Sequence, residues 1–209
     1  MIVHHFTTPI TTPFARKSTQ IYGDLRRLWE KAKIKESAKK PEITGLCRLI
    51  KGYKIMIKVL FVCHGNICRS PMTEYIFRDM VQRQGLAQRF YIASAATSRE
   101  EIGNDVYPPA RAELRAHGVP VGHRAAVQVT PRDYDAYDWL LTMDENNARN
   151  LRRILPHDPD GKIRPLLSFA GEQRGIADPW YTDDFGAAYA DIVRGCTAFL
   201  EHLRRSGAV

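Results

Sequence analysis

The feature that most constrains how this 209-residue chain can fold is a nearly continuous apolar run, "IMIKVLFVC", at residues 55–63. Such a run is typical of a central parallel strand that is buried on both faces. A short loop follows, and Ser70 and Pro71 then favour a helix N-terminus, as N-cap and first-turn proline. We predict a helix from about Pro71 to Arg83, which ends near Gly85. This stretch therefore predicts a strand–loop–helix unit that opens an α/β domain.

Strand-like and helix-like stretches alternate through the rest of the chain, which indicates a parallel sheet built from β-α-β units. The predicted fold class is α/β: a doubly wound four-stranded parallel sheet with helices on both faces, in a three-layer, flavodoxin-like arrangement. Ligands of such sheets bind at the carboxyl ends of the strands, where Cys63 falls. The other predicted strands lie at 90–97, 139–144 and within 162–169, and the other helices at 108–118, 130–138, 145–155 and 184–205.

The net charge of +8 is confined to one part of the chain. Residues 1–55 hold twelve Lys and Arg and four Asp and Glu, whereas residues 56–209 hold nineteen of each. The predicted domain at 56–209 therefore has no net positive field that would attract it to a polyanion, and we expect no nucleic-acid partner. We predict that residues 1–55 are a basic N-terminal extension, either poorly ordered or the product of a misassigned start. Within it, residues 20–40 have the pattern of a basic amphipathic helix that would suit an anionic membrane surface or a partner.

The cysteine content and the hydropathy pattern indicate a cytoplasmic protein. Four cysteines are too few for a disulfide scaffold, and no paired C-x-x-C suggests a zinc site. No run of 18 apolar residues predicts a membrane span, and the N-terminus lacks the apolar core and cleavage site of a secretory signal. We therefore expect a reducing, cytoplasmic environment. The oligomeric state is left open.

The loop after the first strand has the composition of an anion-binding site that carries a nucleophile. Residues 63–69 fit the pattern Cys-x5-Arg, and Gly65 and Asn66 are types that tolerate left-handed backbone. Such a loop can turn its amides towards an anion, and the helix N-terminus that follows adds positive potential there. Arg69 offers a planar guanidinium that can hold two phosphate oxygens, and the same field stabilises a thiolate at Cys63. The predicted anion-binding residues are His64, Gly65, Asn66, Ile67, Cys68 and Ser70.

Other functions for Cys63 and Cys68 are less consistent with the surrounding residues. A metal site would need further ligands that the nearby sequence lacks, so we expect neither a metal nor a cofactor. A buried structural cysteine is the usual interpretation of a lone Cys, and it suits Cys196 on the apolar face of the last predicted helix, as well as Cys47. It does not account for a Gly-Asn pair, an arginine and a helix start that occur together after Cys63.

The segment "VLFVCHGNICRSPMTE" (59–74) closely resembles the signature of the low-molecular-weight protein tyrosine phosphatase family. The resemblance covers residues 56–205 and returns at "SAATSREEIGN" (94–104), "MDENN" (143–147) and "ADPWYTDDF" (177–185). It implies a cysteine-dependent phosphatase that hydrolyses phosphotyrosine, or similar phosphomonoesters, through a phosphocysteine intermediate. The partner would be a phosphotyrosine-containing protein or a small phosphomonoester.

The resemblance also implies roles for residues outside the loop. Asp178, which alone would suggest an ordinary Asp-Pro turn, becomes the predicted general acid, beside Cys63 as nucleophile and Arg69 as phosphate ligand. Trp180 and Tyr181 would line a pocket for an aromatic ring. Asn66 would brace the loop, Ser94 and Asp144 would support it, and Cys68 would form a protective disulfide with Cys63 under oxidation.

Two positions depart from the family pattern. Glu100 stands where the family usually has a large aromatic residue at the pocket mouth, which removes one wall for a phenyl ring. "HRAAVQ" (123–128) matches the family's turn only loosely, so no role is assigned to His123 or Arg124. An arsenate reductase, a phosphoarginine phosphatase or a non-catalytic phosphate-binding module on the same scaffold are the alternative functions.

Overall fold

The computed structural model of the protein describes residues 56–209. The predictions for residues 1–55, including the basic helix at 20–40 and the role of Cys47, lie outside the described residues. The boundary at residue 56 stays a prediction.

The described chain contains a four-stranded sheet in the order β2-β1-β3-β4, and all its strand pairs are parallel. This architecture confirms the predicted fold class. The strands are β1 (Ile57–Cys63), β2 (Phe90–Ala96), β3 (Trp139–Thr142) and β4 (Ile163–Pro165). The helices are α1 (Arg69–Arg83), α2 (Pro108–Ala116), α3 (Arg132–Ala136), α4 (Glu145–Ile154), α5 (Pro179–Thr182) and α6 (Phe185–Arg205), with 3-10 helices at Ala87–Arg89 and Leu166–Ala170.

Strand β1 is apolar because it is central and covered on both faces. Val59 and Phe61 pack on one face, in a core that includes residues of α1, α2 and α6. Leu60 and Val62 pack on the other, against apolar residues of β3, β4 and the segment around α4. A strand with two buried faces shows no alternation of polar and apolar residues, as the sequence indicates. The carboxyl end of β1 therefore opens between two helical layers.

The start of α1 differs from the prediction. The helix begins at Arg69, two residues before Pro71, and its N-cap position is Cys68, which makes no side-chain capping bond. Ser70 does not cap the helix, because its hydroxyl lies 3.0 Å from the sulfur of Cys63 and accepts a hydrogen bond from Asn66. At the other end, Gly85 has a φ of +69°, which explains why the chain turns there.

No helix within residues 56–209 is both long enough and apolar enough to cross a membrane.

Candidate active site

The Cys-x5-Arg loop (residues 63–69) joins β1 to α1, and four of its carbonyl groups bond to segments outside it. Thr97 N donates to the carbonyl oxygen of Cys63, and Ser98 N donates to that of His64. Arg124 Nη1 donates to the carbonyl oxygen of Asn66, and Tyr107 N donates to that of Ile67. All four distances lie at 2.9–3.0 Å. In a trans peptide the N–H of the following residue points the opposite way to the carbonyl. Because these carbonyls face outwards, the amides that follow them face the interior of the loop. The loop thus has the backbone arrangement of an anion-binding nest.

The sulfur of Cys63 lies inside this loop. The backbone N–H of Asn66 donates to Cys63 Sγ at 3.2 Å, and Ser70 Oγ lies 3.0 Å from the same sulfur. Since Asn66 Nδ2 donates to Ser70 Oγ at 2.8 Å, the hydroxyl proton of Ser70 can be directed at the sulfur. Asn66 has a φ of +61°, a left-handed backbone conformation that asparagine tolerates better than most residues. Polar donors therefore surround the predicted nucleophile from two sides.

Asn66 links the loop to a buried polar network that the sequence did not predict in full. Its Nδ2 donates to Ser94 Oγ at 2.9 Å, and Ser94 Oγ donates to Glu74 at 2.6 Å. Arg124 donates to the backbone oxygen of Asn66 at 2.9 Å, to its side-chain oxygen at 2.8 Å and to Ser94 O at 3.3 Å. Ser94 was predicted to support the loop, whereas Arg124 and Glu74 were not assigned any role. No local pattern reveals Arg124, because it lies 58 residues from Asn66 in the chain.

Arg69 is buried and bonds to three acceptors on two distant segments. Its Nη1 donates to Asp144 Oδ2 at 2.5 Å and to Ile176 O at 3.0 Å, and its Nη2 donates to Asp178 Oδ2. Burial opposes the charge, but the interactions with Cys63, Asp178 and Asp144 outweigh it and raise the pKa of Arg69. The guanidinium therefore stays charged and fixes two carboxylates near the loop.

The two carboxylates also cap helices. Asp144 accepts from Asn147 N at 2.6 Å as N-cap of α4, while its other oxygen accepts from Arg69. Asp178 is the N-cap of the short helix α5, and its second oxygen accepts from Trp180 N at 3.2 Å. Pro179 follows at the first helical position. The caps hold both carboxylates in fixed orientations relative to Arg69.

A cavity of about 140 Å³ opens above the loop. Cys63, Arg69 and Asp178 all line it. Trp180 and Tyr181, both exposed, form one edge, and the ring of Tyr107 lies 5.1 Å from that of Trp180 and supports it. The remaining lining residues are His64, Gly65, Ile67, Cys68, Glu100 and Glu101. The structure thus places the predicted nucleophile, arginine and acid around one space.

A larger cavity of about 400 Å³ lies beside β2, lined in part by Tyr91, Tyr137, Glu74 and Arg124. It contains no cysteine and does not include Asp178. The smaller cavity is therefore the one with the chemistry for group transfer.

The other cysteines differ from Cys63 in their surroundings. Burial, reinforced by the nearby Cys63 and Asp178, raises the pKa of Cys68 to about 12. Burial alone raises the pKa of Cys196, a residue of α6 whose side chain is fully buried. Cys63, Cys68 and Cys196 are all free thiols, so the Cys63–Cys68 disulfide stays a prediction. Within residues 56–209, no group of three or more His, Cys, Asp or Glu side chains is arranged to hold a metal ion.

Comparisons with known proteins find relatives of the described part of the chain. The family model for low molecular weight phosphotyrosine protein phosphatases matches residues 58–209. The human protein of that name is 42% identical over 148 residues, which cover 68% of this chain and 93% of the human one. The crystal structure of YfkJ from Bacillus subtilis superposes with a TM-score of 0.69 at 35% identity and covers 72% of this chain and 96% of YfkJ.

A further similar structure is that of DARP, a drosophila arginine phosphatase, with a TM-score of 0.64 at 30% identity over 70% of this chain and 97% of that one. Since the family model matches well over half of the chain, residues 58–209 and the site they form identify this protein as a member of the low molecular weight phosphotyrosine protein phosphatase family.

Proposed function

We propose that this phosphatase hydrolyses phosphotyrosine, in proteins or in small phosphomonoesters, through a phosphocysteine intermediate. One observation carries the proposal: the Cys63 sulfur lies inside a loop of inward-facing amides, with Arg69 and Asp178 beside the same cavity. The exposed rings of Trp180 and Tyr181 at the cavity edge suit an aromatic leaving group.

In the first step the Cys63 thiolate attacks phosphorus in line with the bond to the phenolic oxygen. The S–P bond forms as the P–O bond breaks, and the loop amides and Arg69 stabilise the charge on the three equatorial oxygens. Asp178 transfers its proton to the departing oxygen, so that tyrosine leaves as a neutral phenol.

The contact between Arg69 and Asp178 suggests how that carboxyl becomes an acid. An incoming phosphate requires the Arg69 Nη2 donor that Asp178 now occupies. Once the phosphate has displaced it, Asp178 lies near the phosphate's negative charge without its own cation, and this favours its protonated form.

In the second step a water molecule attacks the phosphocysteine. The Asp178 carboxylate accepts a proton from the water as the S–P bond breaks, and inorganic phosphate is released. The leaving thiolate is stabilised by Asn66 N and by the hydroxyl of Ser70. The two steps together return Cys63 and Asp178 to their starting states.

The test is turnover of p-nitrophenyl phosphate and of a phosphotyrosyl peptide by the full chain. We expect no turnover for Cys63→Ser, and a kcat lowered roughly 10²–10⁴-fold for Asp178→Ala. Asp183→Asn is the matched control, since Asp183 is an exposed carboxylate five residues away. If Asp183→Asn lost as much kcat as Asp178→Ala, Asp178 would not be the acid. A phosphoarginine peptide hydrolysed faster than the phosphotyrosyl peptide would overturn the substrate assignment.

The arsenate-reductase alternative is disfavoured by the position of Cys196. That reaction needs further redox-active cysteines near the site, and the two others that the structure describes, Cys68 and Cys196, are both buried with raised pKa values. We also propose a cytoplasmic location, because the three described cysteines are all free.

A further inference from the structure

A histidine and a glutamate of this chain form a polar pair at the edge of the catalytic cavity. His64 directly follows the nucleophile in sequence, and its Nε2 lies 2.9 Å from Glu100 Oε2. Both residues line the cavity, and the side chain of Glu100 is 70% exposed. The pair therefore holds a solvent-accessible carboxylate next to His64, the residue that follows Cys63, at the position where the family usually has a large aromatic residue.

The negative charge of Glu100 is available to a ligand. A carboxylate only accepts hydrogen bonds, so Nε2 is the donor, and most of the Glu100 side chain stays exposed beside this bond. Arg99, the nearest cation in sequence, does not line the cavity.

A second carboxylate lies on the same edge. Gly65 has no Cβ, and a Cβ there would come within 3.0 Å of Glu101 Cγ, so the glycine leaves room for the Glu101 side chain over the loop. Asn104 Nδ2 donates to Glu101 Oε2 at 2.6 Å and holds it in place. An acidic pair (Glu100 and Glu101) and an aromatic pair (Trp180 and Tyr181) thus line the same cavity.

The charges of the cavity are separated. The loop amides and Arg69 are buried beside the Cys63 sulfur, where a phosphate would bind, whereas the exposed Glu100 carboxylate is open to the residues beside a phosphorylated side chain. We propose that Glu100 is a specificity-determining residue that favours phosphotyrosyl substrates with a basic residue next to the phosphotyrosine. This inference rests on the proposed phosphatase function, and it specifies the class of peptide that the site prefers.

The experiment compares kcat/KM for three peptides that differ only in the two residues flanking phosphotyrosine, which are Arg, Gln or Glu. An exposed ion pair is worth roughly two- to fivefold, so the full-length wild type should prefer Arg to Gln by about that factor, and Gln to Glu. The Arg/Gln ratio should approach one at about 1 M salt, because screening weakens exposed pairs. Glu100→Gln should bring the ratio close to one, and Glu100→Lys should invert it.

The ratio is taken within each variant, so a general loss of activity does not affect it. Glu201→Gln, which removes an exposed glutamate from α6, is the matched control and should keep the wild-type ratio. Equal kcat/KM for all three peptides, or a wild-type ratio in Glu100→Gln, would overturn this inference and leave the phosphatase function intact. Failure to hydrolyse any peptide or p-nitrophenyl phosphate would overturn both.

Discussion

Replacing Arg124 with alanine tests whether catalysis depends on a residue that never touches the substrate. Arg124 is largely buried, with 14% of its side chain exposed, and it donates to two oxygens of Asn66 and one of Ser94. The Asn66 amide in turn donates to the Cys63 sulfur. Loss of Arg124 therefore frees the turn that directs this donor at the nucleophile.

The magnitude follows from the acceptors that lose their donor. Leaving a buried acceptor unsatisfied costs about 1–3 kcal/mol, and Asn66 Oδ1 keeps one other donor, Val127 N at 3.2 Å. We expect Arg124→Ala to lower the free energy of unfolding by about 3 kcal/mol. Two of the three lost bonds end on Asn66, so about 2 kcal/mol should appear as lost transition-state stabilisation, which lowers kcat roughly 30-fold.

The assay is p-nitrophenyl phosphate turnover, with kcat and KM measured separately, beside urea unfolding of each variant. Arg124→Lys keeps the charge but not the two-pronged contact with Asn66, and should give an intermediate kcat. Arg111→Ala is the matched control, because Arg111 is equally buried and donates to Gly122 O nearby without touching Asn66. It should lose stability with little change in kcat. If Arg124→Ala folds and keeps kcat within about twofold of wild type, or if both variants lose kcat equally, the positioning role is wrong.

Two other substitutions test the segments around the site. In Gly175→Ala the new Cβ would lie 2.7 Å from Asp144 Cβ and 2.9 Å from its Cα, so the segment carrying Asp178 must shift, and we expect kcat to fall roughly 10- to 100-fold. Gly186→Ala meets only ordinary contacts and should behave as wild type; equal activity of the two variants would contradict the steric argument. Hydrogen bonds from Val106 N, His123 and Arg124 N lower the pKa of Asp105 to about 2. In the unfolded chain this pKa is about 4, so ionised Asp105 stabilises the fold fully above about pH 4, and this stabilisation is lost as the pH falls from about 4 to 2. Asp105→Asn should show a lower urea midpoint at pH 7 and a smaller decline between pH 4 and 2, and parallel wild-type and variant curves would refute this.

The sequence determined those features whose causes are local. The double burial of β1 requires unbroken apolar residues, and the left-handed turn after Cys63 requires a residue such as Asn66. These preferences act within a few residues, so they could be predicted without coordinates. The order of the elements then placed Cys63 at the carboxyl end of a parallel strand, and with it the site.

Only the tertiary structure decided which distant groups complete that site. The Ser70 hydroxyl bonds to Cys63 and Asn66 instead of capping α1, because the helix already begins at Arg69 and leaves Ser70 inside its first turn. The loop bonds to Arg124, to Tyr107 and to the carbonyl of Ile176, and these bonds join residues that are 40 to 107 positions apart in the chain. His64 and Glu100 are 36 positions apart. No periodicity or composition encodes such pairs, since they depend on how the loops meet at one edge of the sheet.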